Sequence, residues 1–137
     1  YTICGVGDAG AHVATICDAS YPTFMVPFWS RDRKRGKLLN LEYLISKQTL
    51  KTAQTYGLND RGALIVGMRA DINIIDYENI GLTKPCLSYD LPAGGKRLIQ
   101  KSNGYNHTFV KGVEVSQNGE FTGELPGKLI RGSQSIN

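Results

Sequence analysis

The sequence predicts a mixed α+β chain, with one helix-centred part followed by a β-rich part. Apolar side chains recur at helical spacing over residues 41–56, which indicates an amphipathic helix. After Gly62, short apolar runs partly alternate with polar residues, as half-buried strands do. Glycine occupies 16 of the 137 positions, and this abundance favours short strands and turns over long helices. The change of pattern divides the chain into two predicted units, 1–60 and 61–137.

The predicted helix has a start signal and a stop signal. Asn40 is a suitable N-cap, and Leu41 and Leu44 begin the apolar face. Gly57 stands where a C′ glycine is expected, and Leu58 follows it as in a Schellman motif. We therefore expect one helix over residues 41–56.

The stretch before this helix predicts less regular structure. Residues 1–6 are rich in β-forming side chains and predict a short strand, and a helix is expected over residues 12–18. Residues 21–29 are apolar and aromatic but contain two prolines, which predicts a loop packed over the core, or alternatively a pocket wall. One strand and one or two helices do not close a core, so this part is expected to be the end of a larger unit.

The second part reads as short strands joined by tight turns. The Lys111-Gly112 and Asn118-Gly119 dipeptides are turn signals, and the first predicts a hairpin. The segment 122–127 is loop-like. The expected strands are residues 70–76, 98–99, 108–110 and 113–116.

Charge and hydropathy exclude several classes of partner. The net charge is +4, and residues 31–37 alone carry five basic residues and one acidic residue. Because the rest of the chain is balanced and no aromatic residues are interleaved there, a solvated loop is expected and a nucleic-acid partner is not. The alternative is phosphate or nucleic-acid contact through Arg31, Arg33, Lys34, Arg35 and Lys37. No apolar run approaches the ~20 residues of a membrane span, so no membrane partner is expected.

The three cysteines predict a reducing, cytoplasmic environment. Cys4, Cys17 and Cys86 are odd in number and contain no C-x-x-C pair, which argues against a disulfide framework and a zinc knuckle. Cys4 and Cys17 are expected to be buried as small apolar side chains. No signal peptide is recognisable at Tyr1.

Asp8 is the leading candidate for chemistry. It lies between Gly7 and Gly10, directly after the first predicted strand, and catalytic groups collect at the carboxyl ends of strands in parallel α/β folds. The alternative is a helix N-cap, which the bare D-x-G pattern favours. His12 could be a ligand, a proton carrier or a helix residue; His107 lies far downstream, and one histidine cannot hold a metal ion.

Five segments, taken together and in order, resemble one family. They are GVGDAGAHVATICDASYPTF, the QT-containing helix, YGLNDRGALIVGMRADINIID, YDLPAGGKRLIQ and GELPGKLIRG. The chain resembles the carboxyl-terminal part of the N-acyl-D-amino-acid deacylases (D-aminoacylases) of the metal-dependent amidohydrolase superfamily. This resemblance implies that residues 1–60 are the last strand and helix of a (β/α)₈ barrel. Residues 61–137 would be the carboxyl-terminal share of a small β-sandwich that amino-terminal strands complete.

The resemblance also implies the chemistry. The family hydrolyses the amide of a small-molecule N-acyl-D-amino acid to a D-amino acid and a carboxylate, with zinc activating water and polarising the carbonyl. Asp8 would be the general base and acid and a candidate weak metal ligand, with Gly7, Gly10 and His12 as candidate lining of the active site. The family's His-x-His and later histidines are missing here. No complete zinc site, no bound cofactor and no activity are therefore expected of this chain alone.

Two other readings remain open from the sequence. The chain could be a stand-alone, non-catalytic, β-rich interaction module, or it could belong to an amidohydrolase for a different amide. If it is part of a larger enzyme, the surfaces that the rest would cover are exposed, and self-association is expected.

Overall fold

Short helices occupy the first half of the chain and antiparallel strands the second half. The computed structural model describes residues 2–5, 7–10 and 14–136. Together these elements confirm the mixed α+β class. The helices are α1 (Tyr21–Pro27), α2 (Leu41–Gln48) and α3 (Leu50–Thr55), with a π turn over Phe28–Asp32 and 3₁₀ turns over Asp18–Ser20 and Pro92–Gly94. The strands are β1 (Ile72–Ile75), β2 (Gly81–Leu82), β3 (Cys86–Leu91), β4 (Gly95–Ile99), β5 (Ser102–Asn103), β6 (Tyr105–Val110), β7 (Val113–Gln117) and β8 (Glu120–Phe121).

The predictions of a strand over residues 1–6 and a helix over residues 12–18 are wrong for residues 2–5 and 14–17, and Asp18 begins a 3₁₀ turn. Residues 2–5 adopt no regular secondary structure, and residues 14–17 are not helical. Tyr1, Val6 and residues 11–13 lie outside the described residues. A strand needs a neighbouring strand to pair its backbone groups. Here the carbonyl groups of Thr2 and Cys4 accept hydrogen bonds from the side chains of Lys47 and Tyr21 instead.

The aromatic segment is helical, so the predicted loop over residues 21–29 is wrong. Pro22 stands in the first turn of α1, where its missing N–H removes no helical hydrogen bond. Pro27 is the last residue of α1, and the chain widens there into the π turn. The rings of Phe24 and Phe28 stack at 4.7 Å across the junction. The expected packing over the core is present, because Val26 is 4% exposed.

The predicted helix over residues 41–56 is interrupted once. Thr49 has φ −118° and ψ −92°, which separates α2 from α3. Asn40 is the N-cap, as predicted, and its Oδ1 accepts a hydrogen bond from the Tyr43 N–H at 3.1 Å. The face predicted to be apolar is only partly buried. Leu44 is 1% exposed, whereas Tyr56 is 68% exposed.

The end of α3 is the predicted Schellman motif. Gly57 has φ +70°, in the left-handed region that glycine enters most readily. Its N–H donates to the Gln54 carbonyl at 3.1 Å, and the Leu58 N–H donates to the Ala53 carbonyl at 2.8 Å. These two bonds define the motif and satisfy carbonyl groups at the helix end.

The main sheet has four antiparallel strands in the order β1-β6-β7-β8. Strand β6 pairs with β1 and β7, with Ile72 opposite Phe109 and Val110 opposite Val113. Both predicted turns are confirmed. Lys111-Gly112 and Asn118-Gly119 have positive φ at both positions, as a type I′ hairpin turn requires. Strand pairs β2–β5 and β3–β4 form two smaller sheets.

Hydrogen bonds join the helices to the strands. The hydroxyl groups of Thr23 and Tyr105 lie 2.8 Å apart, as do those of Ser30 and Tyr77. The tail returns to the end of α3, where Gln134 exchanges backbone hydrogen bonds with residues 57 and 59. The buried apolar side chains among the described residues are Val26, Pro27, Leu44, Ala53 and Ile80. No helix in the described part of the chain has the length and apolar character needed to cross a membrane.

Candidate active site

Asp8 lies in a segment without regular secondary structure; hydrogen bonds hold its backbone, and its side chain is exposed. The Asp18 N–H donates to the Asp8 carbonyl at 3.2 Å, and the Asp8 N–H donates to Asp18 Oδ1. Within the described residues, the Asp8 carboxylate caps no helix. The helix that it was expected to cap begins at residue 12, and residues 11–13 lie outside the described residues.

The two glycines beside Asp8 have different roles. A Cβ on Gly7 would lie 2.9 Å from the Ala19 Cα, so this position permits a close approach to the 3₁₀ turn. Gly10 has φ +92°, a conformation that other residues rarely adopt. The glycine pattern thus reflects one close packing contact and one left-handed backbone position.

A cavity of about 420 Å³ adjoins this segment. Ala9 and Gly10 line one side, and residues 97–100 of β4 and its following turn line the other. Ser20 and Thr23 contribute hydroxyl groups. Asp8 and Gly7 are not among the lining residues, and His12 is outside the described residues. The structure therefore brings Gly10, but not the full predicted set, to the cavity.

Ser20 and Gln100 connect the two walls of the cavity. The Ser20 Oγ donates to Gln100 Oε1 at 2.5 Å. The Gln100 Nε2 donates in turn to the Thr83 carbonyl at 2.9 Å. These hydrogen bonds hold the end of β4 against the 3₁₀ turn that contains Ser20. Residue periodicity does not predict the Ser20–Gln100 contact, because these two residues are 80 positions apart.

The YDLPAGGKRLIQ segment forms the hairpin that supplies the second wall. Ala93 has φ +58° in the turn between β3 and β4. Below the turn, Arg97 Nε and Nη2 donate to the two carboxylate oxygens of Asp90 at 2.8 and 2.5 Å. The hydrogen bond from Arg97 holds the pKa of Asp90 below its ordinary value. Sequence reasoning used this segment only for its family resemblance and did not identify Arg97 or Gln100 as cavity residues.

The other chemically active side chains lie apart from Asp8. Cys4 and Cys17 are half-buried and Cys86 is exposed, so the predicted burial of Cys4 and Cys17 is only partial. His107 Nδ1 lies 2.6 Å from Glu114 Oε1 on the β6–β7 pair. Across residues 2–5, 7–10 and 14–136, no three His, Cys, Asp or Glu side chains are grouped closely enough to hold a metal ion. The described residues therefore do not form a complete zinc site.

The basic segment is not a uniformly solvated loop. The Arg31 guanidinium donates to the backbone carbonyl groups of Tyr77, Glu78 and Ile80, the last two at 2.9 and 3.1 Å. The Arg33 guanidinium lies 4.6 Å from the centre of the Trp29 ring. The solvated-loop prediction is wrong for these two arginines, because intramolecular acceptors and an aromatic face engage them.

Residues 2–116 match the sequence model of a family described as the amidohydrolase family. The chain belongs to the amidohydrolase family. The matched range contains both Asp8 and the β3–β4 hairpin.

Three relatives show which kinds of amidohydrolase this chain is similar to. It is 36% identical over 104 residues to an N-acyl-D-aspartate deacylase and 30% identical over 105 residues to an N-acyl-D-glutamate deacylase, both of Alcaligenes xylosoxydans xylosoxydans. Each match covers 75% of this chain and 19% of the relative. An allantoinase of Deinococcus radiodurans is 36% identical over 94 residues, 68% of this chain and 20% of the relative.

These matches confirm the resemblance to N-acyl-D-amino-acid deacylases. The amidohydrolase chain spans about a fifth of the length of the curated relatives it matches. No solved structure matches it.

Proposed function

We propose that this chain is part of a zinc-dependent amidohydrolase that hydrolyses N-acyl-D-amino acids to a D-amino acid and a carboxylate. Family membership and the two deacylase relatives support a hydrolase of linear amides. The observation that carries the proposal is the placement of Asp8. Its carboxylate is exposed on a backbone-held, glycine-flanked segment that continues directly into the wall of a cavity.

In this proposal Asp8 moves the proton during hydrolysis. The attacking water forms a bond to the acyl carbon while Asp8 accepts its proton. Asp8 then delivers that proton to the amide nitrogen as the C–N bond breaks, which releases the amine as a neutral leaving group. A residue in this role must reach both the water and the nitrogen within hydrogen-bond distance.

A zinc ion in this enzyme would need ligands that the described residues do not supply. A catalytic zinc ion takes about three protein ligands besides water, and the described residues provide no such group. We therefore assign the zinc ligands to the remainder of the enzyme and derive no step through the ion. On the same basis, this chain alone is proposed to be inactive.

The proposed architecture follows the same family. We assign residues 1–60 to the end of a (β/α)₈ barrel and residues 61–137 to part of a β-sandwich. The irregular backbone of residues 2–5 supports the first assignment, because the barrel strand beside them would be needed for regular pairing. The open edge of β1 supports the second.

The test is kinetic and uses the complete enzyme with N-acetyl-D-aspartate, N-acetyl-D-glutamate and their L enantiomers. We expect hydrolysis of the D forms only, and activity that a chelator removes and zinc restores. Asp8→Asn should lower kcat by roughly 100-fold or more, because general acid–base catalysis typically contributes that much. Glu120→Gln, at an exposed carboxylate on β8, is the control. An Asp8→Asn enzyme with near-normal kcat would refute the role of Asp8.

A further inference from the structure

Two hydrogen bonds and one packing contact tie the segment of Asp8 to the 3₁₀ turn Asp18–Ser20. The Asp8 N–H donates to Asp18 Oδ1 at 2.5 Å, and the Asp18 N–H donates to the Asp8 carbonyl at 3.2 Å. Gly7 packs so closely on the turn that a Cβ there would lie 2.9 Å from the Ala19 Cα. The position of the Asp8 backbone therefore depends on the position of this turn.

The 3₁₀ turn is short and has little support within itself. It contains three residues, and its closing hydrogen bond runs from the Tyr21 N–H to the Asp18 carbonyl. Asp18 and Ala19 are exposed, and Ser20 is half-buried. Because hydrogen bonds in 3₁₀ turns have poor geometry, a turn with so little burial needs contacts from another part of the chain to fix its place.

Gln100, which follows β4, supplies such a contact. The Ser20 Oγ donates to Gln100 Oε1 at 2.5 Å, and Gln100 Nε2 donates to the Thr83 carbonyl at 2.9 Å. The N–H and the hydroxyl group of Thr83 both donate to the Lys101 carbonyl at 2.9 Å, so the residue that accepts from the amide is itself held. Gln100 thus ties the turn to two segments of the β-rich part.

The two hydrogen bonds of Gln100 require an amide side chain. The amide oxygen accepts from a hydroxyl group while the amide nitrogen donates to a backbone carbonyl. An ionised glutamate of the same length accepts but does not donate, and methionine has no N–H at all. A connected path of hydrogen bonds therefore runs from Thr83 through Gln100 and Ser20 to the turn that holds Asp8.

We propose that Gln100 is a positioning residue for Asp8 and acts through Ser20 and the 3₁₀ turn. The proposal rests on the function proposed above, because the proton transfer by Asp8 is what this positioning serves. Gln100 itself transfers no proton. Without its contacts, the Asp8 carboxylate remains present but is less well aligned with the water and the amide nitrogen. The β-rich part of the chain thereby contributes to catalysis by the part that carries Asp8.

The kinetic experiment uses Gln100→Ala and Ser20→Ala variants of the complete enzyme with N-acetyl-D-glutamate. Each should lower kcat by about five- to tenfold, because a small displacement of a catalytic group is costly, while KM stays within about twofold of wild type. Ser20→Thr keeps the hydroxyl group and should recover most of the activity. A raised KM with unchanged kcat would overturn the proposal, because Gln100, which lines the cavity, would then contact the substrate instead.

A double variant tests whether Gln100 acts through Asp18. Asp18→Ala already releases Asp8 from the side chain that holds it, so adding Gln100→Ala should lower kcat by less than about twofold further. If the two single effects multiply in the double variant, the residues act independently and the proposal fails.

Tyr105→Phe is the matched control for the loss of an ordinary contact between helices and strands. It removes the hydrogen bond between the hydroxyl groups of Tyr105 and Thr23, which lie 2.8 Å apart beyond the turn, in α1. Tyr105→Phe and Gln100→Ala should both lower the midpoint of urea unfolding, but kcat of Tyr105→Phe should stay within about twofold of wild type. Equal losses of kcat in the two variants would overturn the proposal, because general loosening would then explain both.

Hydrogen exchange separates this proposal from the proposed function. In the ligand-free complete enzyme, Gln100→Ala should speed exchange at the Asp8 and Asp18 amides by about five- to tenfold, because loss of a supporting hydrogen bond favours local opening. If wild type does not hydrolyse N-acetyl-D-glutamate but this acceleration is seen, the deacylase function fails and the positioning by Gln100 stands. If hydrolysis is normal and exchange in Gln100→Ala matches wild type, the positioning role fails and the function stands.

Discussion

Two hydrogen bonds join Asp8 to Asp18. They hold the backbone of Asp8 through the backbone N–H and the side chain of Asp18. The Asp18 N–H donates to the Asp8 carbonyl, and the Asp8 N–H donates to Asp18 Oδ1. The Asp8 carboxylate takes no part in either bond. Asp18 is thus a positioning residue for the group that we propose transfers the proton.

Replacing Asp18 should misplace Asp8 without removing its carboxylate. In the complete enzyme, Asp18→Ala is expected to lower kcat for N-acetyl-D-glutamate by about ten- to a hundredfold, because small displacements of a catalytic group are costly. Asp18→Asn keeps an acceptor oxygen at Oδ1 and should recover most of the activity. The pH dependence of kcat should keep its shape in both variants. An Asp18→Asn enzyme as impaired as Asp18→Ala would contradict the positioning role.

Gly104 should tolerate no side chain. Its φ is +84°, and an added Cβ would lie 2.5 Å from the Cα of Ile80, which is 2% exposed. Gly104→Ala is expected to lower the free energy of unfolding by about 2 to 4 kcal/mol, through backbone strain and overpacking together. Urea denaturation of this chain measures the effect. Gly127→Ala, where nothing lies within 4 Å, is the matched control and should change stability little.

Arg31 should stabilise the loop that precedes β2. It donates to three carbonyl groups in residues 77–80, and no other residue type reproduces this fork. Arg31→Ala is expected to lower the free energy of unfolding by about 1 to 3 kcal/mol, and Arg31→Lys to restore only part of it. Arg35→Ala, at an exposed position of the same basic segment, removes the same charge. Equal destabilisation by Arg31→Ala and Arg35→Ala would show that charge, not the carbonyl contacts, is responsible.

Stability should fall in acid because several carboxylates are stabilised in the folded state. Hydrogen bonds from Arg61 and Arg31 lower the pKa of Asp60 and Asp32 from the ordinary value of 3.8. A lowered folded-state pKa stabilises the fold above the unfolded value, and this stabilisation is lost as the pH drops through the folded value. The contribution of Asp60 and Asp32 to the midpoint of urea unfolding should therefore be constant from pH 7 to about pH 5. It should decline below about pH 4.

The same acid dependence has a residue-level test. Asp60→Asn and Arg61→Gln each remove the Asp60–Arg61 pair, whose atoms lie 2.8 Å apart. Both variants should lose less stability between pH 5 and pH 3 than wild type does. A decline as steep as that of wild type in both would exclude Asp60 as a contributor.

The isolated chain is expected to self-associate. Large apolar side chains are exposed around residues 64–66, where Leu64 is 83% and Val66 fully exposed, and again at Phe121 and Leu125. Exposed apolar groups and the open edge of β1 promote association. Sedimentation velocity should show larger species as concentration rises, and the double variant Leu64→Ser, Val66→Ser should shift the population toward monomer. A monomer at high concentration in wild type would contradict this expectation.

Local signals predicted the elements whose causes lie within a few residues. Asn40 caps α2 through the N–H three positions later. At the end of α3, Gly57 donates to the carbonyl three positions earlier and Leu58 donates to the carbonyl five positions earlier. The two type I′ turns depend on dipeptides that accept positive φ. Where the pattern misled, the deciding contact was not local. Residues 2–5 were predicted as a strand but have no strand partner among the described residues. In residues 21–29, Pro22 falls in the first turn of α1, where proline is tolerated, and Pro27 falls at the junction of α1 with the π turn.

The amino-acid order alone sufficed for the family and the mixed α+β class, because motifs, turns and caps are short-range properties of the chain, and it nominated Asp8 as a candidate. The cavity could not be predicted from the sequence in the same way. Its walls come from Ala9, Gly10, residues 17–23 and residues 97–102, and Ser20 contacts Gln100 across 80 positions. Such contacts depend on how the β3–β4 hairpin packs against the helical segment, so the cavity exists only because folding brings β4 beside the segment that follows Asp8.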